Sequence, residues 1–207
     1  MPRKQQSRKT NRNSTPQGEQ MLRIIAGEWR GRKIPFPAIE GLRPTPDRVR
    51  ETLFNWLQAT VPGARVADLF AGSGALGLEA LSRGAQQVAF VDLSAAVTRQ
   101  LQQNLQQLKA SNAAVNNQSA EQWLAQQTPD KPYDLVFLDP PFNKGMVEPI
   151  CQQLEQLNLL AEDALIYIEV EKGLSLKLPD NWQPLRQKQA GQVSYQLLQR
   201  STLNISS

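Results

Sequence analysis

The 207-residue sequence predicts an α/β protein with a mostly parallel sheet and one antiparallel edge strand. Three observations lead to this fold class. After Pro62 and Gly63, short apolar segments alternate with longer segments whose apolar residues recur at helical spacing. The apolar segments are almost uninterrupted, which is typical of strands that helices cover on both faces. Such alternation requires crossover connections, and these join parallel strands.

Five strands alternate with four helices in this part of the chain. The strands are predicted at 65–70, 87–92, 114–118, 133–138 and 164–171, and the helices at 75–83, 95–109, 120–127 and 147–157. Two further strands, 184–189 and 192–199, surround Gly191 and leave no room for a helix between them. They predict a closing antiparallel hairpin, which brings the sheet to seven strands.

The N-terminal part is predicted to be organised differently. Residues 1–20 are polar and predict a disordered basic tail, because they contain too little apolar surface to bury. Residues 21–61 predict a basic hairpin and a helix that form an N-terminal extension. Residues 62–200 predict the main domain, and residues 201–207 a flexible C-terminal tail.

Local signals place the two strands of the hairpin. Leu22, Ile24 and Ile25 predict a short first strand. Residues 27–34 predict a turn and a second strand. Residues 41–44, which contain a glycine and a proline, predict an irregular linker that separates the hairpin from the helix.

The helix of this extension is predicted to begin at Thr45 and Pro46, a capping hydroxyl followed by a proline in the first turn. Its buried face is predicted from apolar residues at helical spacing, namely Val49, Leu53, Trp56 and Leu57. Arg48 and Arg50 lie off this face. They are therefore predicted to be available to solvent or to a ligand.

Positive charge is concentrated near the N-terminus. Residues 1–50 contain 12 of the 23 Lys and Arg residues but only 4 of the 19 Asp and Glu residues. A basic part on a mildly acidic remainder indicates a polyanion bound at one end of the molecule. A basic face that only aids solubility would give the same pattern, so charge alone leaves both interpretations open.

Missing residue types narrow the chemistry. The chain has no histidine, which removes the commonest general base and transition-metal ligand. Its single cysteine, Cys151, excludes an internal disulfide and a cysteine-based metal cluster, and is predicted to be a small buried residue. Without a long apolar segment or a signal peptide, the sequence predicts a soluble cytoplasmic protein that uses no metal and contacts no membrane.

A glycine-rich loop follows the first strand of the main domain. Residues 68–77 read Asp-Leu-Phe-Ala-Gly-Ser-Gly-Ala-Leu-Gly, and Gly72 and Gly74 would let the backbone approach a ligand closely. Asp92 ends the next strand and could accept hydrogen bonds from ribose hydroxyls, so an adenosine-containing ligand is predicted. Asp68 would face the pyrophosphate of a dinucleotide. Its charge therefore favours S-adenosylmethionine, which carries an ammonium and a sulfonium, over NAD.

A second unusual segment, Asp139-Pro140-Pro141-Phe142, follows the strand at 133–138. Because the prolines fix the backbone, the Asp139 carboxylate and the Pro140 carbonyl form a rigid pair of hydrogen-bond acceptors. Such a pair would hold the two protons of an amino group on a ring, while Phe142 stacks on the ring itself. The alternative is a proline-rich turn with a solvated aspartate, which leaves the rest of the chain unexplained.

The glycine loop together with residues 139–142 resembles the class I amino-methyltransferases. The segments Arg-Ile-Ile-Ala-Gly-Glu-Trp-Arg-Gly-Arg-Lys at 23–33 and Gly-Leu-Arg-Pro-Thr-Pro-Asp-Arg-Val-Arg-Glu-Thr-Leu-Phe-Asn-Trp-Leu at 41–57 resemble the RsmD-type 16S ribosomal RNA guanine-N2 methyltransferases. The resemblance covers residues 22–200 and includes Ile-Tyr-Ile-Glu at 166–169. It implies a Rossmann-like class I methyltransferase fold.

The resemblance also implies an activity, namely methyl transfer from S-adenosylmethionine to the exocyclic N2 of a guanine. The implied partner is 16S ribosomal RNA within a small-subunit assembly particle. A monomer is expected because nothing in the sequence suggests a large exposed apolar face. Asp139, Pro140 and Phe142 would be the catalytic residues. The predicted cofactor-binding residues are Asp68, Phe70, Ala71, Gly72, Gly74, Asp92, Leu93, Ser119, Ala120 and Asp139. The predicted RNA-binding residues are Arg23, Arg30, Arg32, Lys33, Arg43, Arg48 and Arg50.

Three other interpretations remain open at this point. An adenine-N6 methyltransferase acting on RNA or DNA would use the same acceptors, since adenine also carries an amino group on a ring. A non-catalytic RNA-binding assembly protein could share the fold. An NAD oxidoreductase would explain the glycine loop but not residues 139–142. The resemblance further implies that the linker near Thr45 and Arg48 closes over the cofactor.

Overall fold

The computed structural model describes residues 19–201. The predicted disordered tail lies outside the described residues except for Glu19 and Gln20, which already belong to the first strand. Of the predicted C-terminal tail, only Ser201 is described. No helix in the described range is long and apolar enough to span a membrane.

Within residues 19–201, nine strands and five helices follow one another. The N-terminal extension contains β1 (Glu19–Arg23), β2 (Lys33–Pro37) and α1 (Asp47–Trp56). The main domain contains β3 (Arg65–Asp68), α2 (Ala75–Ser82), β4 (Gln87–Asp92), α3 (Ala95–Leu108), β5 (Ala113–Asn117), α4 (Ala120–Leu124), β6 (Tyr133–Leu138), α5 (Val147–Gln156), β7 (Leu160–Glu171), β8 (Trp182–Ala190) and β9 (Val193–Arg200).

Strands β3 to β9 form one seven-stranded sheet in the order β5-β4-β3-β6-β7-β9-β8. Neighbouring strands from β5 to β7 are parallel, and β9 runs antiparallel to both β7 and β8. The predicted mostly parallel sheet with one antiparallel strand is confirmed. The closing hairpin forms this edge of the sheet, with β9 next to β7 and β8 outermost.

Helices cover both faces of the sheet, as the apolar strands predicted. Alternate residues of β6 point to opposite sides, so that Leu135 and Phe137 pack in one core cluster and Val136 and Leu138 in another. The first cluster includes residues of α1, α2 and α3, and the second includes residues of α4 and α5. Cys151 of α5 is completely buried in the second cluster, as predicted.

The predicted N-terminal hairpin is confirmed as a separate two-stranded antiparallel sheet, in which Leu22 pairs with Ile34. The prediction that Ile24 and Ile25 extend the first strand is wrong. The strand ends at Arg23, because the backbone N–H of Ile25 donates to a carboxylate of α2 at 2.8 Å instead of to β2.

Helix α1 begins at Asp47, with Pro46 at the N-cap and no side-chain capping hydrogen bond. The prediction that the Thr45 hydroxyl caps this helix is therefore wrong. The hydroxyl instead points toward the carboxyl end of the sheet, where Thr45 Oγ1 lies 3.5 Å from Asp139 Oδ2. Val49, Leu53 and Leu57 are buried, as the helical spacing predicted.

Candidate active site

Three neighbouring parallel strands, β4, β3 and β6, end at the same edge of the sheet. Asp68 closes β3, Asp92 closes β4, and Asp139 directly follows β6. The loop after β3 reaches across to β4, since Ala71 N donates to the carbonyl of Val91 at 3.0 Å. The structure thus brings together the two predicted segments, the glycine loop and residues 139–142, because the carboxyl ends of parallel strands face the same side.

Asp92 holds the glycine loop against the end of β4. One of its carboxylate oxygens accepts a hydrogen bond from Gly72 N at 2.9 Å, and the other accepts from Ser94 N at 2.8 Å. The side chain of Asn117 donates to the carbonyls of Asp92 and Leu93, at 3.1 and 2.9 Å, and ties the end of β5 to the same place. A carboxylate has further lone pairs, so Asp92 can still accept from a ligand hydroxyl.

Asp68 is buried beneath the loop, where its Oδ2 accepts from Gly77 N at 3.0 Å. Burial raises the pKa of this carboxyl to about 7, with a further contribution from the negative charge of Asp92, while the hydrogen bond from Gly77 acts in the opposite direction. A cation placed between Asp68 and Asp92 would relieve their repulsion. The two carboxyls of Asp68 and Asp92 therefore fit a positively charged ligand better than a pyrophosphate.

Two glycines, one in the loop and one in α2, have a packing role in addition to the predicted ligand contact. Gly74 has φ +77°, and a Cβ there would lie 2.5 Å from Leu101 Cδ2. A Cβ on Gly77 would lie 2.2 Å from the ring of Phe90. The absence of a side chain thus lets α3 approach at Gly74 and β4 approach at Gly77.

The remaining predicted cofactor residues lie along the same edge with different exposures. Leu93 is 74% exposed and Phe70 is half-buried, so both can contact a ligand. Ser119 caps α4, with its Oγ accepting from Gln122 N at 3.3 Å, and Ala120 is buried behind it. The Ser119 hydroxyl oxygen therefore already accepts a hydrogen bond from the N-terminus of α4.

Asp139 is the centre of the second half of the site. Burial raises the pKa of its carboxyl well above the usual range, and the negative charges of Glu169 and Asp68 add to this effect. The hydrogen bond from Thr45 acts in the opposite direction. Pro140 is buried, and Phe142, three residues after Asp139, exposes 40% of its surface. The aromatic face is thus accessible to a ring.

Glu169 near the end of β7 is a site residue that the sequence analysis missed. Its side chain is buried, and the Tyr167 hydroxyl donates to its Oε1 at 2.7 Å. Burial raises the pKa of Glu169, against the lowering effect of hydrogen bonds from Tyr167 and Thr45. The Thr45 hydroxyl itself donates to Asp139 Oδ2 at 3.5 Å.

A sequence signal for Glu169 was available. Leu138 of β6 pairs with Ile168 of β7, so the next residue of each strand, Asp139 and Glu169, lies at the same level of the sheet. A glutamate within the apolar run Ile-Tyr-Ile-Glu, near the carboxyl end of a strand, marks a buried carboxylate that needs a partner. The pairing of this strand with β6 was the missing information.

Six of the seven predicted RNA-binding residues are exposed. They are Arg23, Arg30, Arg32, Lys33, Arg43 and Arg48. Arg23 lies next to the start of α1. Its side chain is 58% exposed, and its guanidinium forms an ion pair with Asp47 at 3.5 Å. A surface carrying this many exposed cations is suited to a polyanion.

Arg50 is the exception, and the prediction that it is available to solvent or ligand is wrong. Its side chain is completely buried, because its guanidinium satisfies backbone carbonyls and carboxylates inside the protein. Nε donates to the carbonyl of Thr45 at 3.2 Å, and Nη2 donates to the carbonyl of Arg23 at 2.9 Å and to Asp47 at 2.6 Å. Arg50 thus fixes the linker that carries Thr45.

The linker between β2 and α1, residues 38–46, crosses the site. A Cβ on Gly72, whose φ is +50°, would lie 2.9 Å from Leu42 Cδ1, so Leu42 rests directly on the glycine loop. At the other end of the linker, Thr45 reaches Asp139. One short segment therefore contacts both halves of the site.

The strand order, the glycine loop and the acceptor pair at the carboxyl edge define a Rossmann-like protein of the class I methyltransferase type. The chain belongs to the family described as Conserved hypothetical protein 95, whose model matches residues 22–199. Among the residues described, no group of three or more Cys, Asp or Glu side chains is arranged to hold a metal ion.

The relatives of the chain agree with the resemblance found in the sequence. It is 52% identical over 185 residues to "Ribosomal RNA small subunit methyltransferase D" of Escherichia coli K12, covering 88% of this chain and 92% of the relative. The protein of the same name from Haemophilus influenzae is 50% identical over 187 residues, covering 89% and 97%. A solved Escherichia coli structure, described as a proposed methyltransferase, is 51% identical with a TM-score of 0.81 and covers 88% and 99%.

Proposed function

We propose that this protein transfers a methyl group from S-adenosylmethionine to the exocyclic N2 of a guanine in small-subunit ribosomal RNA. The observation that carries this proposal is the position of Asp139. Its carboxyl directly follows β6, at the edge of the sheet where Asp68 closes the neighbouring strand β3 before the glycine loop, and Phe142, three residues later, exposes 40% of its surface. Relatives of near-identical length are named for ribosomal RNA small subunit methylation, which supports the substrate class.

The charge of the glycine-loop edge supports S-adenosylmethionine as the cofactor. Asp68, Asp92 and Asp139 converge at this edge, and they would favour the ammonium and sulfonium groups of the ligand. Bound there, the cofactor would supply an electrophilic methyl group. Asp92 would accept from a ribose hydroxyl, and the exposed Leu93 and the half-buried Phe70 would cover the adenine.

The acceptors after β6 would orient the guanine. The lone pair of an amino nitrogen on a ring is delocalised, which makes the nitrogen a poor nucleophile. Asp139 and the Pro140 carbonyl would accept its two protons, hold it in line with the methyl group, and favour the positive charge that develops on the nitrogen. Phe142 would stack on the base, which is turned out of its RNA context. A carboxyl with a raised pKa is also a suitable acceptor for the proton that leaves.

The N-terminal extension supports RNA as the partner. In residues 21–61, which we propose as an RNA-binding extension to the catalytic domain at 62–200, the exposed cations would contact phosphates. These are Arg23, Arg30, Arg32, Lys33, Arg43 and Arg48. We exclude Arg50 from this set because it is buried. We further propose that a monomer in the cytoplasm acts on 16S ribosomal RNA within an assembly particle.

Mass-spectrometric mapping of modified nucleosides tests the proposal. The purified protein and labelled S-adenosylmethionine are incubated in three separate reactions, which contain 16S ribosomal RNA, small-subunit particles or DNA. The expected product is N2-methylguanosine in ribosomal RNA. The same modified nucleoside should be missing from the ribosomal RNA of cells that lack the protein. N6-methyladenine would instead identify an adenine enzyme. Failure to bind S-adenosylmethionine would indicate a non-catalytic RNA-binding protein.

A further inference from the structure

A second carboxyl lies beside Asp139 on the next strand of the sheet. Leu138 of β6 pairs with Ile168 of β7, so Asp139 and Glu169, one residue further along each strand, lie at the same level. Neighbouring strands of a sheet are about 4.8 Å apart. The backbones of the two residues are therefore direct neighbours at the carboxyl edge.

Both carboxyls lie on the face of the sheet that α1 covers. Phe137 and Tyr167 pack in the core cluster that includes residues of α1, and side chains of a strand alternate between the two faces. Glu169, two residues after Tyr167, therefore lies on this face. Asp139 points the same way, because Thr45, in the linker that leads into α1, donates to its Oδ2 at 3.5 Å. The two carboxyls are thus side by side.

The segment that carries Phe142 is held against the end of β7. Asn143 N donates to Oε1 of Glu171 at 3.2 Å, and Glu171 lies two residues beyond Glu169 on β7. Phe142, which we propose to stack on the base, directly precedes Asn143 and is exposed. A base that stacks on Phe142 with its amine at Asp139 would therefore lie over the ends of β6 and β7 together.

Glu169 is an unusual residue for a buried strand position. Its side chain is buried, and the Tyr167 hydroxyl donates to its Oε1 at 2.7 Å. Within residues 19–201, no lysine or arginine forms an ion pair with it. Burying a carboxylate without a cation is costly, which indicates a role other than packing. A carboxylate offers about four lone pairs, so the bond from Tyr167 leaves acceptor capacity for another donor.

Guanine and adenine differ at the ring atom next to their amino group. In guanine this atom, N1, carries a proton and donates a hydrogen bond. In adenine the N1 atom next to the amine carries a lone pair and accepts one. An ionised carboxylate can only accept. A carboxylate placed beside the groups that hold the amine would therefore bind the edge of guanine and repel the edge of adenine.

We propose that Glu169 selects guanine by accepting a hydrogen bond from its N1–H while Asp139 and the Pro140 carbonyl hold the N2 amine, an inference that rests on the proposed function. The Tyr167 hydroxyl fixes the orientation of the Glu169 carboxylate. Bound S-adenosylmethionine, whose charges here are positive, would favour ionised acceptors at this edge of the sheet. Glu169 is thus a specificity-determining residue, and Tyr167 is a positioning residue that acts through it.

A base analogue separates this role from packing. 2-Aminopurine keeps the 2-amino group of guanine but has no proton on N1. After the methylated nucleotide has been located, 16S ribosomal RNA is ligated with either guanosine or 2-aminopurine riboside at that position. The kcat/KM of methyl transfer is measured on both RNAs at saturating S-adenosylmethionine. The variants are Glu169→Gln and Tyr167→Phe, and the matched control is Glu162→Gln in the exposed first part of β7.

The quantity that decides is the ratio of kcat/KM for guanine to that for 2-aminopurine. The wild-type ratio should be about 10² or more, because the unprotonated N1 of 2-aminopurine would face a buried carboxylate. Glu169→Gln should lower the ratio about tenfold or more, since an amide can accept from N1–H or donate to an unprotonated N1. Glu162→Gln should keep it within about twofold of wild type.

Tyr167→Phe gives a second test that leaves the buried carboxyl in place. It keeps the ring and removes only the hydroxyl that orients Glu169. The ratio should fall about threefold or more, because a carboxyl without this bond is less well directed at N1–H. Circular dichroism and thermal unfolding establish that each variant is folded. If Glu169→Gln does not fold, Tyr167→Phe decides.

The outcomes separate this inference from the proposed function. Equal kcat/KM of the wild-type protein on the two RNAs would overturn the role of Glu169. Variants that lose activity on both RNAs equally, with an unchanged ratio, would show a structural role instead and overturn it as well. If the wild-type protein methylates no guanine, the proposed function and this inference fail together, whereas guanine methylation with an unchanged ratio overturns this inference alone.

Discussion

The Arg50 guanidinium lies 3.5 Å from the Glu79 carboxylate, and both side chains are completely buried. Glu79, in α2, also accepts from the backbone N–H groups of Ile25 and Ala26 at 2.8 and 3.0 Å. Arg50, in α1, binds the carbonyls at both ends of the segment from β1 to the linker. One buried ion pair therefore joins the basic hairpin, the linker and the main domain.

Glu79→Ala is expected to destabilise the protein by about 3–5 kcal/mol, because it leaves the buried guanidinium without its buried counter-ion and two backbone N–H groups without their acceptor. Urea unfolding measures the loss. Glu51→Ala, an exposed glutamate in α1, is the control and should change stability by less than about 0.5 kcal/mol. A Glu79→Ala variant as stable as this control would show that the buried ion pair between Arg50 and Glu79 contributes little to stability.

Gly27→Ala should weaken the docking of the hairpin on α2. An added Cβ would lie 1.8 Å from the Ser82 carbonyl oxygen, and Glu28 N donates to that same oxygen at 2.7 Å. Gly31→Ala is the matched control, because its φ is also +82° but nothing lies within 4 Å.

Both glycine variants should lose about 1–2 kcal/mol of stability from the left-handed backbone. Gly27→Ala should lose more than Gly31→Ala, and it should also weaken RNA binding. Thermal unfolding and filter binding measure these effects. Equal stability losses in the two variants would contradict the packing seen at Gly27.

Asp139→Ala should reduce the single-turnover rate of methyl transfer by about 10²-fold or more, since it removes a preorganised acceptor of the amine protons. Binding of S-adenosylmethionine should change little, which calorimetry can check. Asp163→Ala, an exposed aspartate in β7, is the control. Wild-type turnover in Asp139→Ala would show that the amine is held by other groups.

The affinity for S-adenosylmethionine should rise with pH. Asp68 has a pKa of about 7 in the free protein, and a cationic ligand favours its ionised form. Binding should therefore release protons near neutral pH and tighten roughly tenfold between pH 6 and pH 8. Calorimetry in buffers of different ionisation enthalpy measures both effects. Asp68→Asn should flatten most of the pH dependence, and a flat wild-type profile would contradict the assigned ligand charge.

Replacing Arg30, Arg32 and Lys33 together with glutamine should weaken RNA binding and reduce its salt dependence. The slope of log K against log salt concentration is negative, and each lost phosphate contact should reduce its magnitude by about 0.7 to 0.9. The charge-matched control replaces Arg99, Lys131 and Arg186, which are exposed elsewhere on the protein. If both triple variants had the same slope, the hairpin would not be the RNA-binding surface.

Much of the fold followed from local patterns in the sequence. The bounds of β4 and β6 match their predicted ranges because each contains a run of four apolar residues, which ends before Asp92 in β4 and before Asp139 in β6. The meeting of the glycine loop with residues 139–142 was predictable, since parallel strands place their carboxyl ends at one edge. The antiparallel hairpin followed from the short turn at Gly191.

The features that were missed depend on contacts between distant parts of the chain. Thr45 has the local signature of a helix cap, but its hydroxyl is claimed by Asp139, 94 residues away. Arg50 lies off the apolar stripe of α1, yet its side chain is buried because it forms an ion pair with Glu79 and donates to two backbone carbonyls. Gly74 matches a ligand-binding pattern, although Leu101 fills the space beside it. In each case the partner is set by tertiary structure, which a linear pattern does not contain.

The burial of Cys151 gives the protein a built-in reporter. The chain has only this one sulfhydryl, it is completely enclosed by α5 and the sheet, and burial raises the pKa of its thiol. Oxidants and alkylating reagents attack the thiolate, so the native molecule should resist both. The rate at which a reagent labels this sulfur therefore measures how often α5 separates from the sheet behind β6, and no probe has to be introduced.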